Sequence, residues 1–511
     1  MLSIVHSSAV VGIDAYIVGV ETDISPQLPA FTTVGLPETA VKESKDRVKA
    51  AIRNSGFYFP SKKITVNLAP ADIKKMGTAF DLPMAVGILA ATGQIRRDDF
   101  DEFVFLGELS LDGKLREING VLPMAMKLRE DRSKKLIVPK GNAAEAAIAE
   151  GVPVFPVDSL AQTINFLENG ESIQPFTVDI NRLFEEASIY AEDFSDVKGQ
   201  IHAKRALEVA AAGGHNILMI GPPGSGKTML ARRIPGILPR LSLEEALDTT
   251  KIHSVAGTLK DGEALLATRP FRAPHHTISD AGLIGGGVYP KPGEVSLAHH
   301  GVLFLDELAE YKKSVLDMMR QPLEDGKVTI SRAVMTLSYP SRFMLAAAMN
   351  PCPCGYYGDN SHECKCSTGA IERYRSRISG PLLDRIDIHI EVPAVKLKEL
   401  TAAPSGERSV EIRERVNKAR DIQLKRFADR PVIFCNAHMG SKDLRNYCPI
   451  DDKSANLLRV AINRLGLSAR AYDRILKVSR TIADISGVES IAPEHISEAI
   501  QYRALDRNLW S

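Results

Sequence analysis

Eight consecutive residues near the middle of the chain have the composition and spacing of a loop that holds phosphate groups. They are Gly221, Pro222, Pro223, Gly224, Ser225, Gly226, Lys227 and Thr228, directly after the apolar segment 216–220. The run matches G-x-x-x-x-G-K-[ST], in which glycines let backbone N–H groups point at the phosphates. Lys227 can then reach the β and γ phosphates, and Thr228 offers a hydroxyl to Mg²⁺. A glycine-rich loop without ligand is the alternative, but the apolar strand before the loop favours a site for a nucleoside triphosphate such as ATP.

Two adjacent carboxylates and one amide follow further apolar segments. Residues 301–305 lead into Asp306 and Glu307, and residues 342–349 lead into Asn350. At the end of a strand beside the phosphate loop, Asp306 is expected to hold Mg²⁺ through water, and Glu307 to polarise the attacking water as a general base. Asn350 is expected to sense the γ-phosphate and to orient that water. An apolar strand that ends in Asp-Glu is common alone, and its significance comes from the phosphate loop before it.

Four of the six cysteines form a compact pattern, C-x-C-x₉-C-x-C. They are Cys352, Cys354, Cys364 and Cys366. Four thiolates on two short arms suffice for one closed tetrahedral Zn²⁺ site with a structural role, although the C-x-C spacing is tighter than usual. Gly355, Gly358 and the pair Asp359-Asn360 supply a turn between the arms, and His362 is an alternative ligand. Four ordinary buried cysteines are the other interpretation. Loss of the metal is expected to loosen ATPase coupling or DNA engagement and to leave the phosphate loop intact.

Composition is that of an ordinary globular protein with several domains. The chain has 511 residues, 44% of them hydrophobic and 25% charged, and its net charge is +1. This length predicts two to four domains, and the small net charge means that any nucleic-acid surface must be local. Apolar runs stay below the roughly 18 residues of a membrane helix, and the first residues lack a basic signal-peptide region. A cytoplasmic protein without a membrane segment is expected.

Both strands and helices are predicted around these residues. Strands are predicted at 64–68, 103–106 and 135–139, helices at 82–91 and 142–150, a linker at 171–195, and a hairpin at 327–339 with Arg332 near its turn. From residue 197 the pattern of helix, strand, loop and helix is typical of an α/β nucleotide-binding core. A loose stretch at 401–406 precedes C-terminal helices predicted at 441–447, 454–465, 469–485 and 493–502.

The order of these motifs resembles that of AAA+ ATPases. Segments 193–200, 269–277, 292–299 and 349–355 are similar to distinctive strings of the magnesium-chelatase-like branch, and within it of the ComM/YifB family. The resemblance covers essentially the whole chain and implies an α/β multidomain protein. It implies an AAA+ P-loop α/β core at 196–400, with a helix-2 insertion, the hairpin and the Cys-rich loop, and a helical C-terminal lid at 407–511.

The resemblance also assigns roles to two arginines. Arg385, within 380–387, corresponds to an arginine finger that acts on the nucleotide of a neighbouring subunit, a contribution of about 10³–10⁵ in rate. A salt bridge to Asp384 or Asp387 is the alternative for this side chain. Arg470, after the helix cap Ser468, is expected to fold back on the nucleotide.

The insertion, which lies between Lys227 and Asp306, and the hairpin at 327–339 are expected to face the pore of a ring. In replicative helicases a similar hairpin carries a basic residue into the pore, which makes Arg332 the first candidate for a contact with DNA phosphate. His275 and His276 of the insertion are interpreted as structural hydrogen-bonding residues, because no acidic or cysteine partner lies at metal-binding spacing nearby.

Residues 1–170 resemble the C-terminal domain of Lon-type proteases, an α+β domain with an S5-like fold. The similar segments are 75–83 and 117–124. Ala79 stands where that family has its nucleophilic serine, and residues 121–124 lack its lysine. A Ser–Lys nucleophile needs both members, so the domain is predicted to be inactive and to support assembly or substrate handling.

The resemblance implies an ATP-driven homo-hexameric helicase that promotes branch migration in recombination and natural transformation. Its expected partner is single-stranded, forked or branched DNA. One alternative is a chelatase-type ATPase that remodels a protein partner, and a less favoured one is an ATP-dependent protease. The missing Ser–Lys pair counts against the protease, and the hairpin with Arg332 favours DNA over a chelatase partner.

Overall fold

A computed structural model describes most of the chain. The described residues are 1–97, 100–131, 133–169, 172–187, 190, 192–260, 262–333, 335–359, 362–395, 406–430, 433–466 and 468–505. Some predicted features therefore lie outside the described residues in part, namely the linker at 171, 188, 189 and 191, the turn residue Asn360, the end of the core at 396–400, the loose stretch at 401–405 and the C-terminus at 506–511. The chain divides into two compact units, Met1–Glu186 with Ala246–Leu266, and Ala187–Glu245 with Ala267–Ser511.

The first unit contains a mixed sheet of seven strands. Its elements are β1 Leu2–Val11, β2 Asp14–Ser25, β3 Ala30–Val34, α1 Thr39–Asn54, β4 Lys63–Ala69, α2 Asp81–Ala91, β5 Phe103–Phe105, β6 Glu108–Leu109, β7 Leu115–Arg116, α3 Val121–Leu128, β8 Lys135–Pro139, α4 Ala143–Ala147, β9 Val154–Val157, α5 Leu160–Asn169 and α6 Ile180–Glu186. The strand order is β3-β4-β2-β1-β5-β8-β9. β2 is antiparallel to β1 and β4, and the other pairs are parallel.

Helix α2 lies at the centre of the first unit because its sequence is apolar on all sides. Ten of its eleven residues are buried, including Asp81 at its first position. That carboxylate is paired with Arg47, whose Nε lies 2.7 Å from Asp81 Oδ2, and it accepts a hydrogen bond from the backbone of Leu109. Pairing of this kind is what allows a charge to remain in a hydrophobic interior.

The second unit contains a parallel sheet of five strands. Its elements are α7 Ile201–Gly213, β10 Ile217–Ile220, α8 Lys227–Ile237, α9 Leu243–Ala256, β11 Phe271–Arg272, α10 Asp280–Ile284, β12 Gly285–Gly286, β13 Lys291–Pro292, α11 Glu294–Leu297, β14 Val302–Leu305, α12 Lys313–Met318, α13 Arg320–Asp325, β15 Lys327–Ser331, β16 Thr336–Pro340, β17 Met344–Met349, α14 Thr368–Arg375, α15 Gly380–Leu383, β18 Ile388–Glu391, α16 Ser409–Arg426, α17 Ser441–Tyr447, α18 Asp452–Leu465, α19 Ala469–Ile485 and α20 Pro493–Gln501. The strand order is β11-β14-β17-β10-β18. Helix α9 begins in this unit, and its residues from Ala246 belong to the first.

Strands β10, β14 and β17 are apolar along their whole length because both faces of the sheet are covered. Each of their residues is buried, as expected for central strands of a parallel sheet. Neighbouring parallel strands end at the same edge of a sheet. The residues that follow these three strands therefore meet at one edge, where the candidate site lies.

The predicted elements agree with the structure in most places. The C-terminal helices and the hairpin lie within two residues of their predicted positions. The predicted linker differs, because it contains helix α6, which has no buried residue. In the described part of the chain, no helix is both long enough and apolar enough to cross a bilayer.

Candidate nucleotide site and metal centre

The phosphate loop connects β10 to the first residue of α8. Gly224 and Gly226 have φ angles of 75° and 91°, a left-handed conformation that favours glycine. Gly226 is the residue before Lys227, at which the eleven-residue helix α8 begins. The backbone N–H groups at the start of this helix are available to an anion, as in other phosphate-binding helices.

Lys227 is held inside the loop by oxygen atoms. Its Nζ donates to the carbonyl oxygens of Gly221 and Pro222, at 2.8 and 2.9 Å, and lies 3.4 Å from Asn350 Oδ1. Burial lowers the pKa of Lys227 to about 8, although Asp306 opposes the shift. A phosphate group would replace carbonyl oxygens with full negative charges, which favour the ammonium form.

Asp306 and Glu307 follow β14 at the same edge. The Thr228 hydroxyl donates to Asp306 Oδ2 at 2.6 Å, so the two predicted Mg²⁺ ligands are adjacent and offer the hard oxygen atoms that this ion requires. Glu307 has a φ of 52°, and its backbone N–H donates to Asp306 Oδ1 at 2.9 Å. The left-handed conformation of Glu307 points the two consecutive carboxylates in different directions. Asp306 points toward Thr228, and Glu307 points toward the segment that contains His276.

A histidine that the sequence analysis treated as structural lies beside the candidate general base. His276 Nδ1 is 3.1 Å from Glu307 Oε2, a contact compatible with the predicted hydrogen-bonding role of this histidine, with a partner outside the spacing considered in the sequence. A cavity of about 270 Å³ is lined by His276, Thr228, Asp306 and Glu307, among others. The partner is distant in sequence, so local spacing could not reveal it. His275 instead bonds to the Thr277 hydroxyl at 2.9 Å.

Arg385 lies in a different part of the second unit, after α15. Its guanidinium donates to Glu324 and to the carbonyl of Pro381. The salt bridge considered from the sequence is therefore formed with Glu324, while Asp387 pairs with Arg474. Burial raises the pKa of Asp387, but Arg474 and His215 outweigh burial and hold it well below its ordinary value.

Arg470 lies in the same region as Arg385. Its Nη1 is 3.6 Å from Asp384 Oδ2, and both arginines line a cavity of about 410 Å³ together with Arg474 and Lys477. The described lining of this cavity includes none of the residues 221–228. The structure thus brings the two predicted arginines together at one cavity, and the fold of Arg470 back on the nucleotide stays a prediction.

The four cysteines of the Cys-rich loop converge. All four Sγ atoms lie within 4.8 Å of one another, and the Sγ atoms of Cys352, Cys354 and Cys364 are 3.3, 3.7 and 3.6 Å apart in pairs. A tetrahedral Zn²⁺ with Zn–S bonds of 2.3 Å requires sulfur atoms about 3.8 Å apart. The backbone N–H of Tyr356 lowers the pKa of Cys354 to about 6, which favours the thiolate form that binds metal. The residues fit a structural zinc site.

The Cys-rich loop also contacts the phosphate loop. Gly355 has a φ of 88°, and a Cβ at this position would lie 2.5 Å from Pro223 Cδ. Arg375 of α14 donates to the carbonyl of Pro351 at 3.1 Å, which ties the other end of the loop to a helix. Gly355 of the Cys-rich loop therefore packs against Pro223 of the phosphate loop, and the expected effect of metal loss stays a prediction.

Two hairpins of the second unit pack against each other. One is β15–β16, with exposed Arg332 at its turn, and the other is β12–β13, with Val288 69% exposed between its strands. The Tyr339 hydroxyl donates to the carbonyl of Pro290 at 2.7 Å. A Cβ added to Gly286 would lie 3.3 Å from an Nη atom of Arg332. The hairpins β12–β13 and β15–β16, both predicted to face a pore, therefore pack together; we call this pair the hairpin block.

The first unit contains Ala79 and the segment 121–124, which correspond by resemblance to the places of the Lon serine and lysine. Ala79 is buried, and Leu122 belongs to α3, where its backbone donates to Glu145 Oε1 at 2.9 Å. The buried Lys75 donates to the backbone carbonyls of Ile73 and Pro70.

Comparisons with known proteins agree with this architecture. The family model described as magnesium chelatase, subunit ChlI, matches residues 193–400. Subunit ChlI of Mg-chelatase matches residues 20–142, and the ChlI C-terminal model matches residues 406–503. Competence protein ComM of Haemophilus influenzae is 46% identical over 513 residues, covering 99% of this chain and 98% of that protein. The chain belongs to the ComM/YifB family.

Two further relatives are similar to the whole chain and to a part of it, respectively. The uncharacterized protein YifB of Escherichia coli is 44% identical over 512 residues, with the same coverage of both chains. Lon protease 2 of Bacillus subtilis is 33% identical over 156 residues, which are 28% of this chain and 27% of that protein. As a member of the ComM/YifB family with a magnesium-chelatase-type core, the chain is an AAA+ ATPase, for which ATP and Mg²⁺ are the implied ligands.

Proposed function

We propose that this ComM/YifB protein is a homo-hexameric, ATP-driven DNA motor of the cytoplasm. In this account it moves branched DNA during homologous recombination, including the uptake of transforming DNA. The name of the Haemophilus relative, a competence protein, supports the biological setting. The observation that carries the DNA assignment is the block of two hairpins with a cation at its exposed turn.

ATP hydrolysis is assigned to the residues at the edge of the parallel sheet. Lys227 and the N–H groups of the loop bind the phosphates, and Asn350 orients the attacking water. Glu307 accepts the proton of that water. Thr228 and Asp306 would hold Mg²⁺, which when bound neutralises charge on the β and γ phosphates.

The proposed motor requires assembly, because Arg385 resembles an arginine finger that acts on the nucleotide of a neighbouring subunit. Arg385 and Arg470 line one cavity. In a ring, Arg385 stabilises the transferred phosphoryl group of the neighbouring subunit, and Arg470 is assigned to folding back on the nucleotide.

The hairpin block is assigned to DNA because of its chemistry. Arg332 at the turn of β15–β16 and Lys291, the first residue of β13, are exposed cations, and such side chains bind phosphate groups irrespective of base sequence. The glycine run 285–287, in β12 and the residue after it, allows the backbone to approach a strand closely. A motor that translocates along DNA needs contacts of this sequence-independent kind.

The remaining segments support this activity. We assign the cysteine cluster to a structural Zn²⁺ that braces the loop between Asn350 and the basic residues 373–377. The N-terminal segment 1–170 is assigned to an inactive Lon-like domain that supports assembly or substrate handling, and 407–511 to the helical lid.

A chelatase-type ATPase that remodels a protein partner is the second candidate. The match of all three ChlI models favours it, and the exposed Val288 suits a contact with protein. An ATP-dependent protease has less support, because Ala79 replaces the nucleophile.

DNA-stimulated ATP hydrolysis separates these functions. We expect single-stranded or three-strand junction DNA to raise the turnover of the full-length protein, and Arg332→Ala to reduce this stimulation. Arg182→Ala is the matched control, since Arg182 is an exposed arginine of α6 that pairs with Glu186. Absence of stimulation by any DNA form would favour the chelatase-type function.

A further inference from the structure

Helix α1 of the first unit carries a row of cations, although the protein as a whole is close to neutral. Residues 39–63 contain seven lysine and arginine residues and two acidic ones, whereas the whole chain has a net charge of +1. Four of these cations are exposed and follow one another at intervals of three, four and four residues, which places them on one side of the helix over about 16 Å. We call these four residues the basic stripe: Lys42, Lys45, Lys49 and Arg53.

The charge of the basic stripe is not neutralised within the described part of the chain. No described carboxylate forms a salt bridge with its four residues, whereas the half-buried Arg47 of the same helix pairs with Asp81. The side chains that face the protein are therefore paired, and those that face outward keep their charge. An exposed row of free cations favours an anionic partner.

Two cations of the stripe lie over an aromatic ring. Lys49 Nζ and the central carbon of the Arg53 guanidinium are each 5.9 Å from the ring centre of Phe59. That ring is 6.4 Å from the ring of Phe31 on β3. A cation–π contact holds a long side chain in place without neutralising its charge. Both cations are thus fixed and still available to an anion.

The segment after α1 presents an exposed aromatic ring on a fixed backbone. The backbone N–H of Phe57 donates to the carbonyl of Ile52 at 3.1 Å, which ties the segment to the helix. Gln94 then holds Tyr58 by two hydrogen bonds of 2.8 Å, one to its backbone N–H and one to its carbonyl. Tyr58 itself is 65% exposed. A ring held in this way contacts a partner at little further cost in conformational entropy.

Cations in a row beside a fixed, exposed ring are the chemistry of a surface for single-stranded nucleic acid. The cations bind phosphate groups irrespective of base, and the ring stacks on an unpaired base, because every base has a flat π face. A duplex or an acidic protein would engage the cations alone, since the bases of a duplex are already stacked on one another. The exposed ring of Tyr58 therefore favours a single strand.

We propose that the first unit binds single-stranded DNA through the basic stripe and Tyr58. The phosphate groups of the strand lie along the stripe, and one base stacks on the tyrosine ring. The choice of DNA rests on the proposed function, whereas the preference for a single strand rests on Tyr58. The hairpin block belongs to the second unit, so this is a further contact with DNA, and it needs no bound nucleotide.

Binding of a fluorescent oligothymidylate to the full-length protein, without ATP, tests this site at several salt concentrations. A duplex of the same length is measured in parallel. The proteins compared are wild type, Lys49→Ala/Arg53→Ala, Tyr58→Ala, Tyr58→Phe and Lys114→Ala/Lys140→Ala. The last is the matched control, because it removes two exposed cations of the same unit that pair with aspartates.

Lys49→Ala/Arg53→Ala is expected to bind the single strand about tenfold more weakly. Its plot of log affinity against log salt should be shallower by about 1.4, the effect of two lost phosphate contacts. Tyr58→Ala should lose about tenfold for the single strand, which is the contribution of one stacked base, and nothing for the duplex. Tyr58→Phe keeps the ring and should bind as the wild type does, and so should the control.

Photocrosslinking of the wild type tests the same contact without any substitution. An oligothymidylate that carries 5-iododeoxyuridine is irradiated with the protein, and the modified peptide is identified by mass spectrometry. Because this base reacts with an aromatic side chain stacked on it, a crosslink at Tyr58 is expected. This measurement decides the inference even if a variant is unstable.

Absence of a crosslink at Tyr58, unchanged single-strand affinity in Tyr58→Ala, or an equal loss in the control would overturn the inference. Equal losses of single strand and duplex in Tyr58→Ala would also overturn it, because stacking on an unpaired base cannot produce them. ATP hydrolysis keeps the proposed function separate. If DNA does not stimulate the wild-type ATPase but is crosslinked at Tyr58, the motor fails and the binding site stands. If DNA stimulates the ATPase and Tyr58→Ala binds normally, only this inference fails.

Discussion

The ammonium nitrogen of Lys227 lies 3.4 Å from the amide oxygen of Asn350. This contact joins the phosphate loop to the end of β17, two features that are more than a hundred residues apart. It places Lys227, the residue expected to bind phosphate, beside Asn350, the residue expected to sense it. Strand β10 pairs over its whole length with residues 346–349 of β17, so the contact follows from the register of the sheet.

The buried position of Lys227 predicts a pH dependence of nucleotide binding. Burial lowers its pKa to about 8, and phosphate favours the charged form, so binding takes up a proton above that pH. Affinity for a non-hydrolysable ATP analogue should be constant below about pH 7 and should fall as pH rises, by about tenfold at pH 9. Calorimetry in buffers of different ionisation enthalpy measures both affinity and proton uptake. A flat profile over this range would rule out the assignment of the shift to Lys227.

Substitution of the general base is expected to separate binding from hydrolysis. Glu307→Gln should bind ATP with near wild-type affinity and hydrolyse it about 10²–10⁴-fold more slowly, because the Thr228–Asp306 pair remains. Single-turnover assays and the nucleotide retained after gel filtration provide the measurement. Glu310→Gln changes a carboxylate on the same short turn, which pairs with Arg377, and should hydrolyse normally. Normal turnover in Glu307→Gln would show that another group activates the water.

Removal of the arginine finger should affect the neighbouring subunit. Arg385→Ala is expected to bind ATP near normally, to lose about 10³-fold in turnover, and to inhibit wild-type subunits in mixed rings. The rate of ATP hydrolysis is measured while Arg385→Ala protein replaces wild-type protein at constant total concentration. Glu324→Gln removes the partner of Arg385 within the chain and leaves the guanidinium, so its activity should persist. Full activity in Arg385→Ala would disprove the trans assignment.

Loss of one zinc ligand should weaken nucleotide binding as well as metal binding. Cys352 is fully buried, and Gly355 of the same loop contacts Pro223. Cys352→Ser is expected to lower both zinc content and ATP affinity, whereas Cys448→Ser, at a buried thiol outside the cluster, should change neither. Elemental analysis after metal-replete expression provides the test. Less than about half an equivalent of zinc in the wild type would refute the site.

Local patterns were enough to predict the parts of the site that lie on strands. Apolar runs lead directly to Gly221, Asp306 and Asn350, and parallel pairing brings the ends of these strands to one edge. The hairpin with Arg332 and the C-terminal helices follow from alternation, caps and helical spacing. These signals depend only on near neighbours in the chain.

Contacts between distant segments could not be predicted in this way. His276 meets Glu307, Gly355 meets Pro223, and Arg385 meets Glu324 only because separate loops converge after folding. Arg470 meets Asp384 in the same way, and its fold back on the nucleotide stays a prediction. The grouping of Ala246–Leu266 with the first unit likewise has no local signal, since α9 is continuous across the boundary.

Branch migration of a three-strand DNA junction is the most direct test of the proposed motor. Labelled junctions are incubated with the full-length protein, ATP and Mg²⁺, and the displaced strand is measured over time. The account predicts ATP-dependent strand displacement by the wild type, none by Glu307→Gln, and strongly reduced displacement by Arg332→Ala at normal DNA-free ATP turnover. Vigorous ATP hydrolysis by the wild type without displacement on three-strand or forked DNA would contradict it.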